Sequence, residues 1–280
     1  MTLDLGEVRI DAIEARALSV PLLEPFVIAT GRVDATRGVE VSAIVHWHGR
    51  TATGLGEAAC LPPVTREDQG DVLDELARAR LRSSADLEVL GTVARAGVET
   101  AVCDALARIA GVPLRELLGQ GSTDSLETDV TVAIAEPSKM GELARTWVAR
   151  GFRALKIKVG KDLDADVRAL EAIGRGAPGA SLRVDANAGY TADEALALAR
   201  ACQTLRLNVE CWEQPCAADD LDGMARVAAA LETPVIADES VKSMHDLRIL
   251  LERGYADGVN LKLAKSGGPL ACLAIGRAAR

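Results

Sequence analysis

Aromatic residues are scarce in this 280-residue chain, with Phe, Trp and Tyr together making up 2% of it. Any core must therefore be built mostly from Leu, Val, Ile and Ala, within a total apolar content of 49%. The six cysteines, at positions 60, 103, 202, 211, 216 and 272, form no CxxC pair, which speaks against a zinc site or a disulfide framework. No apolar run approaches the roughly 18 residues of a membrane span. The first ten residues, MTLDLGEVRI, lack the basic-then-apolar order of a secretory leader. A cytoplasmic protein with no membrane partner is expected. No sizeable basic run offsets the net charge of −9, which argues against nucleic acid as a partner. No GxGxxG phrase follows an apolar strand-like run, so a dinucleotide fold has no support.

Three apolar, β-prone runs each end in a carboxylate. RVDAN places Asp185 after Val184, CWEQP places Glu213 after Trp212, and IADES places Asp238 after Ala237. The acids are 28 and 25 residues apart, about one strand-loop-helix-loop unit. Acids at the C-terminal ends of successive parallel strands would converge. Converging carboxylates repel, so a bound hard metal ion is the economical reading. Cys211 and Cys216 flank Glu213, but three oxygen donors favour a hard metal over a thiolate site.

Residues 10–60 read as β-rich, with strand-like stretches at Ile10–Pro21 and Val39–Trp47. A mobile loop is expected over Glu24–Arg37, a turn or strand edge at Gly54–Glu57, and a second loop at Pro62–Thr65. His46 and His48 are expected on one strand face, where a solvated edge is the better reading than a metal pair. From Asp71 to Leu118 the pattern turns helical, and Val98, Val102, Leu106 and Ile109 form one apolar stripe that ends at Gly111. Gly119–Ser125 reads as a junction. Two domains follow: residues 1–120 as an α+β domain and residues 121–280 as a βα domain. In the second, strands are expected near 127–134, 153–159, 181–186, 208–213, 234–238 and 257–263, with helices such as Ala192–Cys202 and Met244–Arg253 between them. Such alternation gives a parallel sheet, either doubly wound or closed into a barrel. Polar residues at the ends of at least five strands favour the barrel.

Strand alternation puts Lys156 and Lys158 on one face, with Ile157 and Val159 packed against helices. A solvated strand is the alternative, but parallel strands are normally covered on both faces. Asn260 and Lys262 turn inward by the same argument. A substrate carboxylate on the metal would then have a lysine on either side of its α-carbon.

KIKVG, RVDAN, WEQP, IADES and NLKLAKSGG together resemble the motifs of the enolase superfamily, muconate-lactonizing-enzyme subgroup, and they occur in the same order. The resemblance implies an α/β fold in which an α+β capping domain precedes a modified TIM (βα) barrel. It implies a Mg²⁺ cofactor, with Mn²⁺ as a substitute, on Asp185, Glu213 and Asp238. Lys158 and Lys262 would be the acid/base pair, with Lys156, Asn187 and Glu239 in support. VPLLEPF and GLGEAACLPPVT look most like dipeptide epimerases. The implied reaction removes and returns the α-proton of a small carboxylate substrate, a dipeptide, through an enediolate. Phe26 and Arg32 are candidates to touch the substrate, since relatives that take acidic dipeptides can carry an arginine in the first capping loop. Muconate cycloisomerases, o-succinylbenzoate synthases and N-acylamino acid racemases share the lysine pair and stay open as alternatives. A homo-oligomer is expected.

Only six of eight strand-helix units are countable before Arg280, so the expectation is an incomplete barrel whose last two strands are missing. Such a chain would expose sheet edges, be poorly soluble or self-associating, and lack activity. A non-catalytic remnant that binds metal or partner chains is therefore a competing class. A Schiff-base aldolase on Lys158 is another, though it would not need three strand-end carboxylates.

Overall fold

The computed structural model describes residues 8–28, 31–62, 64–119 and 125–280. The first strands, β1 (Arg9–Ile28), β2 (Gly31–Trp47) and β3 (Arg50–Cys60), make an antiparallel sheet in that order. Alternate residues Val39, Val41, Ala43 and Val45 of β2 are fully buried, the period of two expected of a half-covered sheet.

The loop expected over residues 24–37 is instead the end of a long hairpin. Phe26 pairs with Val33 and Ile28 with Gly31, beyond an irregularity between Pro21 and Phe26. Pro25 falls inside that irregularity on an edge strand, where its missing N–H costs no ladder bond. Of the turn or strand edge expected at Gly54–Glu57, the strand edge holds: both glycines lie inside β3, the last strand of this sheet. They are needed because helix α2 (Thr92–Ala110) crosses there. A Cβ at Gly54 would stand 2.0 Å from the Ala101 carbonyl oxygen, and one at Gly56 2.2 Å from that of Gly97. His48 lies in the turn after β2 at φ 48°, so it does not share a strand face with His46. Of the expected loop at Pro62–Thr65, Pro63 lies outside the described residues.

Helix α1 (Gln69–Arg78) closes the first core with Val72 and Leu76. Val98, Val102 and Leu106 of α2 lie in the same core, and Gly111 ends α2 in the left-handed region at φ 72°. A short α3 (Leu114–Leu117) follows. Most of the expected junction, residues 120–124, lies outside the described residues.

Parallel strands and helices then alternate: β4 (Asp129–Val132), α4 (Pro137–Ala149), β5 (Ala154–Lys158), α5 (Leu163–Gly176), β6 (Ser181–Asp185), α6 (Ala192–Thr204), β7 (Asn208–Glu213), α7 (Leu221–Ala230), β8 (Val235–Ala237), α8 (Met244–Arg253) and β9 (Gly258–Val259). Their sheet order is sequential, β4 to β9, without the reversal of a doubly wound fold. Among the described residues, β4 and β9 each pair on one side only, so the sheet is a partial barrel. Leu155, Ile157, Val184, Leu198, Val235 and Leu247 belong to its separate core.

The last strand is shorter than the expected 257–263. Pairing stops at Val259, and Lys262 is the N-cap of α9 (Leu263–Ser266), which precedes α10 (Pro269–Ala278). The Lys262 carbonyl accepts from the amides of Lys265 and Ser266, which draws the chain out of the sheet. Glu99 of α2 accepts from the Leu270 amide at 2.7 Å and so joins the first layer to α10. All six cysteines are free; five are buried and Cys211 is half-buried. Among the described residues no helix is long and apolar enough to cross a membrane.

Candidate active site

The three carboxylates do stand at strand ends. Asp185 and Glu213 are register partners on β6 and β7, and Asp238 immediately follows β8. Asp185 and Asp238 have no exposed surface and Glu213 is 6% exposed. Ion pairs offset their burial, fully for Asp185 and Asp238 and only in part for Glu213. Lys156 donates to Glu213 at 2.6 Å and lies 2.9 Å from Asp185. Lys158 donates to Asp185 at 2.6 Å and to Asn187 Oδ1 at 2.8 Å. Lys262 pairs with Asp238 Oδ2.

Asn260 donates to Glu213 at 2.6 Å, so the inward direction expected of Asn260 and Lys262 holds although neither is in a paired strand. Ile157 and Val159 are fully buried on the other face. Asn187 Nδ2 donates to Glu239 Oε1 at 3.0 Å, and among the described residues the buried Oε2 of Glu239 has no partner.

Two side chains without an expected role complete the set. Gln214 is fully buried; its Oε1 accepts from the Asp238 amide at 2.8 Å and the Ser240 amide at 3.2 Å, while Nε2 donates to Ser240 Oγ and the Cys216 carbonyl. It thereby fixes the loop after β8 to the end of β7. Lys265, 2% exposed, donates to Asp238 Oδ1 at 2.7 Å and to the carbonyls of Asp238 and Asn260. Both residues sit inside the phrases WEQP and NLKLAKSGG. Their work is tertiary, and the signal available was only a polar residue in an apolar setting.

Backbone strain clusters at the same place. Asn187 (φ 44°), Ala188 (φ 64°) and Gln214 (φ 35°) are non-glycine residues in the left-handed region just past the acids. Such conformations cost on the order of 1–3 kcal/mol each and persist only when neighbours hold them. Here the Asn187 amide donates to Asp185 Oδ1 and the Ala188 amide to the Gln214 carbonyl, both at 2.9 Å.

Charge governs the titration of the site. Burial works against the Asp185 carboxylate, but Lys158 and Lys156 outweigh it and hold its pKa below the usual range. Glu213 goes the other way, because burial and the Asp185 charge exceed the help from Lys156 and Asn260. Burial and Asp238 likewise raise Glu239. Burial opposes the Lys156 ammonium, yet Asp185 and Glu213 together push its pKa up. Lys265 is lowered by burial, against the pull of Asp238.

Among the described residues no three His, Cys, Asp or Glu side chains gather tightly enough to hold a metal, and each acid is paired with a lysine. The donor set nevertheless fits a hard divalent ion. It is all oxygen, two of its acids are fully buried, and the Lys156 ammonium already shows that a cation is favourable between Asp185 and Glu213.

A cavity of about 540 Å³ opens above this cluster. Lys158, Asn187 and Lys262 form its floor side, and Phe26, Arg32 and Gln69 of the first layer line it from above. Arg32 is largely exposed and pairs with Asp34 at 3.1 Å. Both expected substrate contacts thus share one cavity with both expected acid/base lysines.

An antiparallel sheet set over a partial βα barrel, with acids and lysines at the barrel strand ends, defines a class of α/β protein. The chain belongs to the enolase C-terminal domain-like family, whose model matches residues 139–280. It is 35% identical over 275 residues to an L-Ala-D/L-amino acid epimerase of Populus trichocarpa, covering 91% of this chain and 64% of that protein. To the L-Ala-D/L-Glu epimerase of Bacillus subtilis it is 36% identical over 281 residues, covering 93% of this chain and 75% of that one. The solved dipeptide epimerase of Enterococcus faecalis, complexed with Mg and the dipeptide L-Leu-L-Tyr, superposes with a TM-score of 0.89 at 29% identity. That superposition covers 97% of this chain and 80% of the other.

Proposed function

We propose that, against the inactivity expected of an incomplete barrel, this chain is an isomerase of the epimerase type, which inverts the α-carbon of a small carboxylate substrate, a dipeptide, because the three acids and both lysines come together at the ends of the six strands present. One observation carries the reading: Lys158 and Lys262, on opposite sides of the acid cluster along the sheet order, line the same 540 Å³ cavity. In this reading Lys158 and Lys262 are the two proton carriers. One Nζ takes the α-proton from one face, and the other returns a proton to the opposite face. Asp185, Glu213 and Asp238 would hold Mg²⁺ or Mn²⁺. When bound, the ion supplies positive charge that offsets the negative charge developing on the substrate carboxylate.

Lys156 and Asn187 keep the acids and Lys158 oriented, and Glu239 holds Asn187 in turn. Residues 1–120 act as the cap that closes the cavity over residues 121–280. Phe26 and Arg32 meet the distal part of the substrate, and Arg32 favours an acidic side chain there. The free thiols fit a reducing, cytoplasmic setting, and a homo-oligomer of this chain belongs to the same proposal.

The test is incubation of the chain with Mg²⁺ and L-Ala-L-Glu in D₂O. Deuterium should enter at the Glu α-carbon, and L-Ala-D-Glu should accumulate. Metal binding without any exchange would contradict the reading and favour a non-catalytic metal-binding protein. A borohydride-trapped adduct on Lys158 would favour Schiff-base chemistry instead.

A further inference from the structure

The loops that follow β5 and β6 touch backbone to backbone. A Cβ on Gly160 would lie 2.4 Å from the Ala186 carbonyl oxygen, and one on Gly189 would lie 2.3 Å from that of Gly160. Gly160 also takes a φ of 104°, so both the contact and the turn require glycine there.

Beside this contact sits Asp166, in the first turn of α5 and 3% exposed. Its Oδ2 accepts from the Gly160 amide at 2.9 Å and from the Tyr190 hydroxyl at 2.5 Å. The Tyr190 oxygen in turn accepts from the same Gly160 amide at 3.2 Å. Burial and the neighbouring Asp166 charge push the Tyr190 phenol far above its ordinary range, so it remains a donor. The Tyr190 amide donates to the Pro215 carbonyl at 3.1 Å, which ties the loop after β7 into the same knot.

Neither Asp166 nor Tyr190 lines the cavity. What they fix does line it. Lys158 is two residues before Gly160, Asn187 is three before Tyr190, and these two are hydrogen-bonded to each other. Burying a carboxylate with only neutral donors is costly, and an apolar pair would hold two loops together at less expense. The polar triad gives direction instead, because it sets the Gly160 amide, and with it the end of β5, at one angle.

We propose that Asp166 and Tyr190 are positioning residues for Lys158, which clamp the Gly160 amide against the Asn187 loop and so aim one of the two lysines at the substrate α-carbon. This rests on the epimerase reading above. Lys262 stands on a different support, the α9 turn beside Lys265, which does not share the clamp. The effect of breaking the clamp must therefore be one-sided.

The experiment uses the full chain with Tyr190→Phe, which keeps the ring, and separately Asp166→Asn. Deuterium entry from D₂O is measured for L-Ala-L-Glu and L-Ala-D-Glu separately, and Lys158→Ala identifies the isomer that depends on Lys158. In both clamp variants, exchange of that isomer should fall in kcat by up to about 100-fold, since a displacement near 1 Å suffices for that. The other isomer should hold within about 3-fold, with KM unchanged, as expected when binding is not disturbed. Equal losses for both isomers, or no loss in either, would overturn the proposal.

Amide hydrogen exchange gives a readout that needs no activity. The Gly160 amide and residues 186–190 should exchange faster in Tyr190→Phe, while β5 itself stays protected. If the unsubstituted chain exchanges neither dipeptide, the epimerase reading fails on its own. Unchanged protection at Gly160 would then sink the clamp as well.

Discussion

Lys156 reaches from β5 past β6 to donate to Glu213 on β7 at 2.6 Å, passing 2.9 Å from Asp185 on the way. One ammonium is thus shared by two buried strand-end acids and offsets only part of their charge. A divalent ion bound by the same acids has to share their oxygens with it, which makes each acid separately testable.

Glu213→Gln should weaken Mg²⁺ or Mn²⁺ binding by about 10-fold or more, read by calorimetry or by the loss of metal-dependent thermal stabilisation. Glu210→Gln is the control. Glu210 pairs with Arg183 at 2.9 Å and Ser181 at 2.8 Å, away from the cluster, so metal affinity should not change. Equal affinity in wild type and Glu213→Gln would remove Glu213 from the site.

Metal affinity should also fall on acidification sooner than ordinary carboxylates imply. Burial and the Asp185 charge raise Glu213, so its proton returns as pH drops while still above the usual Glu value of about 4.3. Asp185 is lowered and stays ionised through that window. Binding of Mn²⁺ followed downward from pH 7 measures this. A loss that begins only below the ordinary Glu value would contradict the raised direction.

Gln214→Leu is expected to destabilise the fold by about 3 kcal/mol or more, because several buried groups lose partners at about 1–3 kcal/mol each. Those groups include the amides of Asp238 and Ser240. Urea denaturation reads the loss. A change below about 1 kcal/mol would mean that water replaces the amide without cost.

Burial pushes the Cys103 and Cys202 thiols up to about 12. At pH 8 their thiolate fraction is then about one in ten thousand, and alkylation should wait for unfolding. Mass spectrometry after iodoacetamide treatment should find both unmodified in the native protein and modified in denaturant. Rapid native labelling of Cys202 would contradict its burial.

The barrel strands were legible because each carries its own evidence: Ile157 and Val184 supply the buried side, and Lys158 and Asp185 supply the strand end. The same alternation predicted where the site side chains point. The hairpin through Phe26 and Val33 reads as a loop in the sequence, because Pro25, Gly31 and polar residues carry the same local signal in an edge hairpin as in a loop. Gly54 and Gly56 carry the signal of a turn as much as of a strand edge for a related reason. Their cause is the backbone of α2 pressing on β3, a contact that lies some 40 residues downstream and leaves no local trace. Lys265, Gln214, Asp166 and Tyr190 had no expected role, since each acts by bonding to backbone brought near only by folding.

The most direct test of the account is the split between isomers in the two lysine variants. Lys158→Ala and Lys262→Ala should each abolish epimerisation of L-Ala-D/L-Glu in the presence of Mg²⁺. Each should retain solvent exchange of the α-proton from one isomer only, and the retained isomer should differ between the two. Equal residual exchange of both isomers in each variant would contradict a site in which Lys158 and Lys262 work from opposite faces.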